Sequence, residues 1–171
     1  DDIVYISGNP YISHLKFDKD LYSNWVGTEH FHEVANCWDT DWNNKFNVLY
    51  PWNVTQRFLR IAKKYVSQKK RFIIHYIQPH RPFINKAGKV FTERYKEYLL
   101  PYPKLKLLRS RYTENIKVVL CEVENLLPHL SGKIVITADH GNLLGEYFLV
   151  GHFHKVYLKK LVEVPWLVIE K

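Results

Sequence analysis

Asp139 and His140 stand side by side, directly after the apolar run Lys133-Ile134-Val135-Ile136-Thr137-Ala138 and directly before Gly141. A carboxylate and an imidazole delivered together at a strand end can share one cation. The mixed oxygen and nitrogen donors suit zinc, manganese and related metals, whereas carboxylate alone leans to magnesium or calcium. Gly141 is expected to let the backbone turn sharply, so that both side chains face one centre. The plainer alternative is a strand-end Asp that accepts bonds from loop amides, with a His beside it. A second group, Gln78-Pro79-His80-Arg81-Pro82, holds a His and an Arg between two prolines that stiffen the loop. Such a pair can bind an oxyanion, the guanidinium in bidentate fashion; a rigid surface turn is the alternative. His75, inside the apolar run before that loop, reads as a satisfied core residue. Gly151-His152-Phe153-His154 completes the set. His-x-His can give two metal ligands, or one ligand and one anion contact. Alone it is a weak signal, but it follows Asp139-His140 by about a dozen residues and precedes the last strand.

The elements that must position these groups follow from periodicity. Residues 3–7 read as a buried strand closed by Gly8-Asn9-Pro10. Residues 11–52 are irregular and aromatic-rich, with Trp25, Trp38, Trp42, Tyr50 and Trp52, and read as a structured excursion, since tryptophan is rare in disordered segments. Residues 55–67 show helical spacing of Phe58, Leu59, Ala62, Tyr65 and Val66. Residues 71–77 are a continuous apolar strand of the kind covered on both faces in a parallel sheet. Residues 83–108 are basic and irregular, and Pro101 and Pro103 are expected to break any long helix. Residues 111–130 form the clearest helix, with Ile116, Val119, Leu120, Val123, Leu126 and Leu127 as its apolar face and Gly132 at its C′ position. Residues 133–138 and 163–169 are further strands, Pro165 sitting near the start of the latter where it is tolerated. Strand, helix, strand, helix, strand predicts an α/β parallel sheet, whose ligands bind outside the carboxyl ends of its strands. Residues 78–82 and 139–140, and more loosely His152 and His154, fall at such ends.

The 171 residues suit one domain or part of a larger one, and 46% hydrophobic with 15% aromatic residues is enough for a core. No apolar run approaches the roughly 18–20 residues needed to span a bilayer, and no signal peptide is visible. The compartment is open on these grounds, a cytoplasmic one being slightly favoured. Net charge is +8, but Lys and Arg are dispersed. The densest run, Lys63, Lys64, Lys69, Lys70 and Arg71, suits a solvated helix end. No nucleic-acid-binding pattern is present, so a nucleic-acid partner is not expected and attraction for anionic substrates is the more modest inference. Cys37 and Cys121 are far apart with no CxxC, so no disulfide framework is demanded, and Cys121 reads as a core thiol. Asn53-Val54-Thr55 matches a glycosylation sequon of the sort common by chance. The chain has no methionine and enters a strand-like run straight after Asp1-Asp2, which reads as a start inside a domain.

In order along the chain these residues resemble the sulfatase branch of the alkaline phosphatase superfamily. His75-Tyr76-Ile77-Gln78-Pro79-His80-Arg81-Pro82-Phe83 resembles the family's strand ending in a PHxP(Y/F) loop, and Tyr112 resembles the Tyr that opens its following helix. Thr137-Ala138-Asp139-His140-Gly141 with Leu144-Gly145-Glu146 resembles (S/T)xDHG…LGE. Gly151-His152-Phe153-His154, Tyr157 and Val164-Pro165 resemble a GH or GK…Y…VP ending, and Ser7-Gly8-Asn9-Pro10 resembles a strand-turn after the nucleophile helix. The main match covers residues 72–169. The resemblance implies an α/β parallel-sheet sandwich of the alkaline phosphatase/sulfatase type, incomplete at its N-terminal side. It implies Asp139 and His140 as ligands of a divalent metal ion (zinc, manganese, calcium or magnesium). It implies His80 as contact to a sulfate or phosphate group or proton donor to the leaving oxygen, with Arg81 beside it, and one of His152 and His154 as holder of a substrate oxygen. The family's nucleophile motif, (C/S)xPxR or a plain Ser or Thr, and its first-strand carboxylates have no counterpart here.

The expected activity is therefore metal-dependent hydrolysis of sulfate or phosphate esters, not performed by this chain alone. The competing expectation is a non-catalytic sulfatase-like module that binds anionic ligands such as sulfated or phosphorylated glycans. A third is an α/β domain of unrelated function.

Overall fold

The computed structural model describes residues 2–12, 26–91, 102–153 and 155–171. Strand β1 (Ile3–Ser7) has Val4, Ile6 and Ser7 fully enclosed and Tyr5 nearly so, which means both of its faces are covered. It lies between β2 (Glu33–Asn36) and β3 (Arg71–His75) in a three-stranded parallel sheet of order β2-β1-β3, with Ser7 opposite Asn36 on one side and His75 on the other. The ladder runs one step further, where the Gly8 N–H donates to His75 O at 2.9 Å. A Cβ on residue 8 would stand 2.6 Å from that same oxygen, so the close approach requires glycine. Strand β2 falls inside the stretch expected to be irregular; with four residues it is too short to show a period.

Helix α1 (Pro51–Ala62) begins earlier than the expected 55–67, with proline in its first turn, where a missing N–H costs nothing. Its buried residues Val54, Phe58 and Ile61 join Val4, Ile6, Cys37, Leu49 and Leu126 in the main core. Phe58 meets Phe72 of β3 edge-on at 5.3 Å. Arg57 pairs with Asp41 at 2.7 Å and ties α1 to the loop after β2. Cys37 is buried, and desolvation pushes its thiol up to about 12, as for an inert packed thiol. Cys121 is only half-buried, so the core thiol is Cys37 rather than Cys121.

Strands β4 (Phe83–Ile84) and β5 (Val90–Phe91) pair antiparallel within the segment expected to be irregular. Helix α2 (Tyr102–Leu126) contradicts the expectation that proline breaks the chain there. Pro103 occupies the first turn, whose N–H groups have no intrahelical acceptor in any case. The buried face also differs from the expected stripe: Leu108, Asn115, Val118 and Leu126 are inside, while Leu120 is 48% exposed. Packing against Phe83 and Ile84 sets this face. Gly132, at φ +80°, ends the helical region as expected.

Strands β6 (Lys133–Thr137) and β9 (Trp166–Glu170) pair antiparallel, which corrects the expectation that the last strand would be parallel. Between them lie β7 (Leu143–Leu144), β8 (Val150–Gly151) and the one-turn helix α3 (Lys159–Val162). With Thr137 opposite Trp166, the connection across residues 138–165 leaves β6 and enters β9 at the same rim. The architecture is therefore mixed α/β with a small parallel sheet. The apolar runs of β3 and β9 are not covered on both faces: Ile73 is 39% exposed and Trp166 68%. Among the described residues β3 and β6 share no ladder, and no helix is long and apolar enough to cross a membrane.

Because Phe58 joins α1 to β3 through the main core, Phe58→Ala is expected to cost about 3–5 kcal/mol. A denaturant titration in which the midpoint hardly moves would contradict this account of the core.

Candidate functional site

Three chain segments bring the chemistry to one rim. Strand β3 ends at His75 and runs into the loop that carries His80. Asn115 of α2, with no exposed surface, fixes that loop: its Oδ1 accepts from the Ile84 N–H at 3.3 Å and its Nδ2 donates to His80 O at 3.4 Å. Strand β6 ends two residues before Asp139. The β7–β8 pairing, Leu143 opposite Gly151 and Leu144 opposite Val150, then folds His152 back beside His140. Glu146 steadies this small hairpin by accepting from the Leu144 N–H at 2.6 Å, and Arg109 of α2 donates to Leu144 O at 2.8 Å. Gly141 serves a different purpose from the one expected. A Cβ there would lie 1.9 Å from Lys160 O, so glycine is needed because α3 presses against the turn.

The side chains form a continuous series. The His80 and His152 rings lie 6.2 Å apart between centroids, and His152 and His140 lie 4.3 Å apart. His140 Nε2 is 3.9 Å from Asp139 Oδ2, and His75 Nε2 is 4.0 Å from the same oxygen. Behind it, Tyr5 Oη is 2.7 Å from His75 Nδ1. Of the residues singled out from the sequence, His80, Asp139, His140 and His152 are thus brought together. Arg81 is exposed next to His80. His154 lies outside the described residues.

Hydrogen bonding assigns the tautomers. His140 Nδ1 is 2.8 Å from Gly141 O and His80 Nδ1 is 2.7 Å from Arg81 O. A carbonyl oxygen only accepts, so in both rings Nδ1 carries the proton and donates. In neutral His140 the remaining Nε2 is then a bare acceptor facing Asp139 Oδ2, another acceptor. Two lone pairs 3.9 Å apart fit a cation between them. A zinc-like ion binding N and O at tetrahedral angles would hold its donors ~3.3 Å apart, a contraction within side-chain rotation. Asp139 Oδ1 also accepts from the His140 N–H at 3.0 Å, so the loop-amide reading of this Asp describes one of its oxygens and the cation reading the other. The donor types and spacing fit a divalent ion, with two ligands. Among the described residues no group of three or more His, Cys, Asp or Glu could hold one.

Comparison with known protein families, curated proteins and solved structures finds no match to this chain. Sequence reasoning passed over Tyr5 and Asn115 and assigned His75 to the core. Their only signal was a polar tip within an apolar run, and its meaning depends on strand register. Tyr112, expected to open its helix, lies within α2 instead; burial first, then the nearby Asp139 charge, raises its phenol above the ordinary value.

Burial, partly offset by the Asp139 charge, holds the His75 imidazole below its ordinary value of about 6.5. The unfolded chain therefore binds a proton at higher pH than the folded one. This contribution to stability is complete above about pH 6.5 and is lost as pH falls toward the lower folded value. In chelator-treated protein the melting midpoint should drop between about pH 7 and about pH 5, and drop less in His75→Gln. Equal acid sensitivity of both proteins would remove His75 from this role.

Proposed function

We propose that this chain carries part of the site of a metal-dependent hydrolase acting on sulfate or phosphate esters, within a sandwich resembling that of the alkaline phosphatase and sulfatase superfamily. The observation that supports it is the convergence of His80, Asp139, His140 and His152, with the bare acceptor pair of His140 Nε2 and Asp139 Oδ2 at 3.9 Å. Asp139 and His140 would hold the divalent ion. Bound there, such an ion supplies Lewis-acid polarisation of an ester oxygen. His80 would stand at the leaving oxygen as an imidazolium, its Nδ1–H held by Arg81 O and its Nε2–H donating to the ester. His152, and the guanidinium of Arg81, would bind the equatorial oxygens by charge-assisted hydrogen bonds.

The parts this reading lacks are a nucleophile and further metal carboxylates. The outer edges of β3 and β6, which pair with nothing across the gap between them among the described residues, are where the rest of such a sheet would join. With two ligands the chain would bind metal weakly and turn over no ester. That shortfall favours a second reading, a non-catalytic module that takes anionic ligands on His80, Arg81 and His152 without a metal.

Zinc titrated calorimetrically into the pure 171-residue chain should bind, and Asp139→Asn should abolish the binding. Aryl sulfate and aryl phosphate should not be hydrolysed. Chelator-sensitive turnover would refute the incomplete site, while tungstate binding that is unaffected both by chelator and by Asp139→Asn would favour the second reading.

A further inference from the structure

His75 and Tyr5 have no part in the ester chemistry above, yet both are enclosed and both point into the series of side chains. Tyr5 is 6% exposed, and the His75 side chain 17%, against 60% for Asp139. Two enclosed polar groups at the end of an apolar strand pair need a reason, and their partners supply it. Tyr5 lies opposite Ile73 in the β1–β3 ladder, two positions from His75. In a sheet, residues offset by two share a face, and an aromatic ring spans the diagonal. Tyr5 Oη thereby reaches His75 Nδ1 at 2.7 Å, and Phe31, with its ring centroid 4.9 Å from that of Tyr5, packs against the phenol.

The tautomer follows. Burial first, and the Asp139 charge second, raise the Tyr5 phenol far above its ordinary value, so it stays protonated. It can therefore donate to Nδ1. The ring proton then sits on Nε2, the nitrogen that faces Asp139 Oδ2 at 4.0 Å. Both neighbours demand the same tautomer: a donor on the Nδ1 side, an acceptor on the Nε2 side. Asp139 is the most exposed member of this trio, and a free carboxylate would rotate. Its Oδ1 is tied to the His140 N–H at 3.0 Å, and Oδ2 has imidazole nitrogens at 3.9 and 4.0 Å.

We propose that Tyr5 and His75 are positioning residues for Asp139: the Tyr5 hydroxyl holds the His75 ring with Nε2–H toward Oδ2, and that contact sets the carboxylate for the cation it would share with His140. The inference rests on the cation reading of Asp139 and His140. Groups that orient a metal ligand in this way change affinity by about 10–100-fold when removed. At 4.0 Å the His75–Asp139 contact is a charge–dipole contact and not a closed hydrogen bond, so the lower end of that range applies.

The test is zinc calorimetry on the whole chain. Tyr5→Phe and His75→Ala should each weaken zinc by about 10-fold. His75→Gln, whose amide can both accept from Tyr5 and donate to Asp139, should restore most of the affinity. Nitrogen-15 NMR of the metal-free protein should show His75 protonated on Nε2, and Tyr5→Phe should mix the two tautomers. Zinc affinity unchanged in a folded Tyr5→Phe protein, or a His75 ring protonated on Nδ1, would overturn the inference while leaving the cation site standing. Should Tyr5→Phe not fold, the tautomer in the unaltered protein and the Gln–Ala contrast at position 75 decide. No zinc binding by the unaltered chain would overturn both readings.

Discussion

The parallel hydrogen-bond ladder between β1 and β3 is the constraint on which the rest of the rim depends. Its register places Ser7 opposite His75 and Tyr5 opposite Ile73. Side chains alternate faces along a strand, so a slip of one residue would send Tyr5 and His75 to opposite sides of the sheet. The register is held by burial on both faces of β1, whose Val4 and Ile6 are fully enclosed, and by the Gly8-to-His75 bond that carries the ladder past the strand end. Sliding β1 would expose Ile6 and drive a side chain into the space that only Gly8 tolerates. Apolar burial and the backbone ladder thus specify the geometry of the polar rim.

The second half of the rim is built differently. His140 and His152 are held by close backbone packing, not by a deep core. Gly141 admits the approach of Lys160 O, and Gly145, at φ +108°, turns the chain where a Cβ would strike the Leu105 side chain of α2. The tie from Glu146 to the Leu144 N–H closes the turn. The Leu-Gly-Glu run that looks like part of a metal motif therefore acts, in this chain, through backbone shape. One half of the rim is rigid through apolar burial, and the other through glycines and a carboxylate that accepts from the main chain.

How much of this could be read beforehand depended on the range of the signal. Strands β1, β3 and β6, the existence of the helix read at 55–67 and found at 51–62, and the Gly132 stop are local patterns, and they were legible. Strand β2 was not: it is four residues long and acquires its identity only from pairing with β1. The start of α2 was obscured because proline is excluded from a helix interior yet accepted in its first turn, and the sequence does not say which applies. The direction of β9 rests on its pairing with β6, Thr137 opposite Trp166, which no local pattern encodes. At the rim, Asp139, His140 and His80 announced themselves by type and by position after a strand. His75 did not, since a lone His in an apolar run most often has a local partner, and that partner, Tyr5, stands 70 residues away.

Electrostatics gives the rim an order of events on the reading adopted for it. Asp139 is a carboxylate set beside the rings of His75 and His140, with its charge felt at Tyr5 and Tyr112. While that charge is unbalanced it opposes an anion at His80 and Arg81. A divalent cation between Asp139 and His140 would reverse the local sign, and the same rim would then attract a sulfate or phosphate group. On that reading the cation would bind before the anion. The overall charge of +8 does not replace the cation, since lysines and arginines scattered over the surface are screened by salt within about 10 Å, whereas a charge held at the rim acts at contact distance.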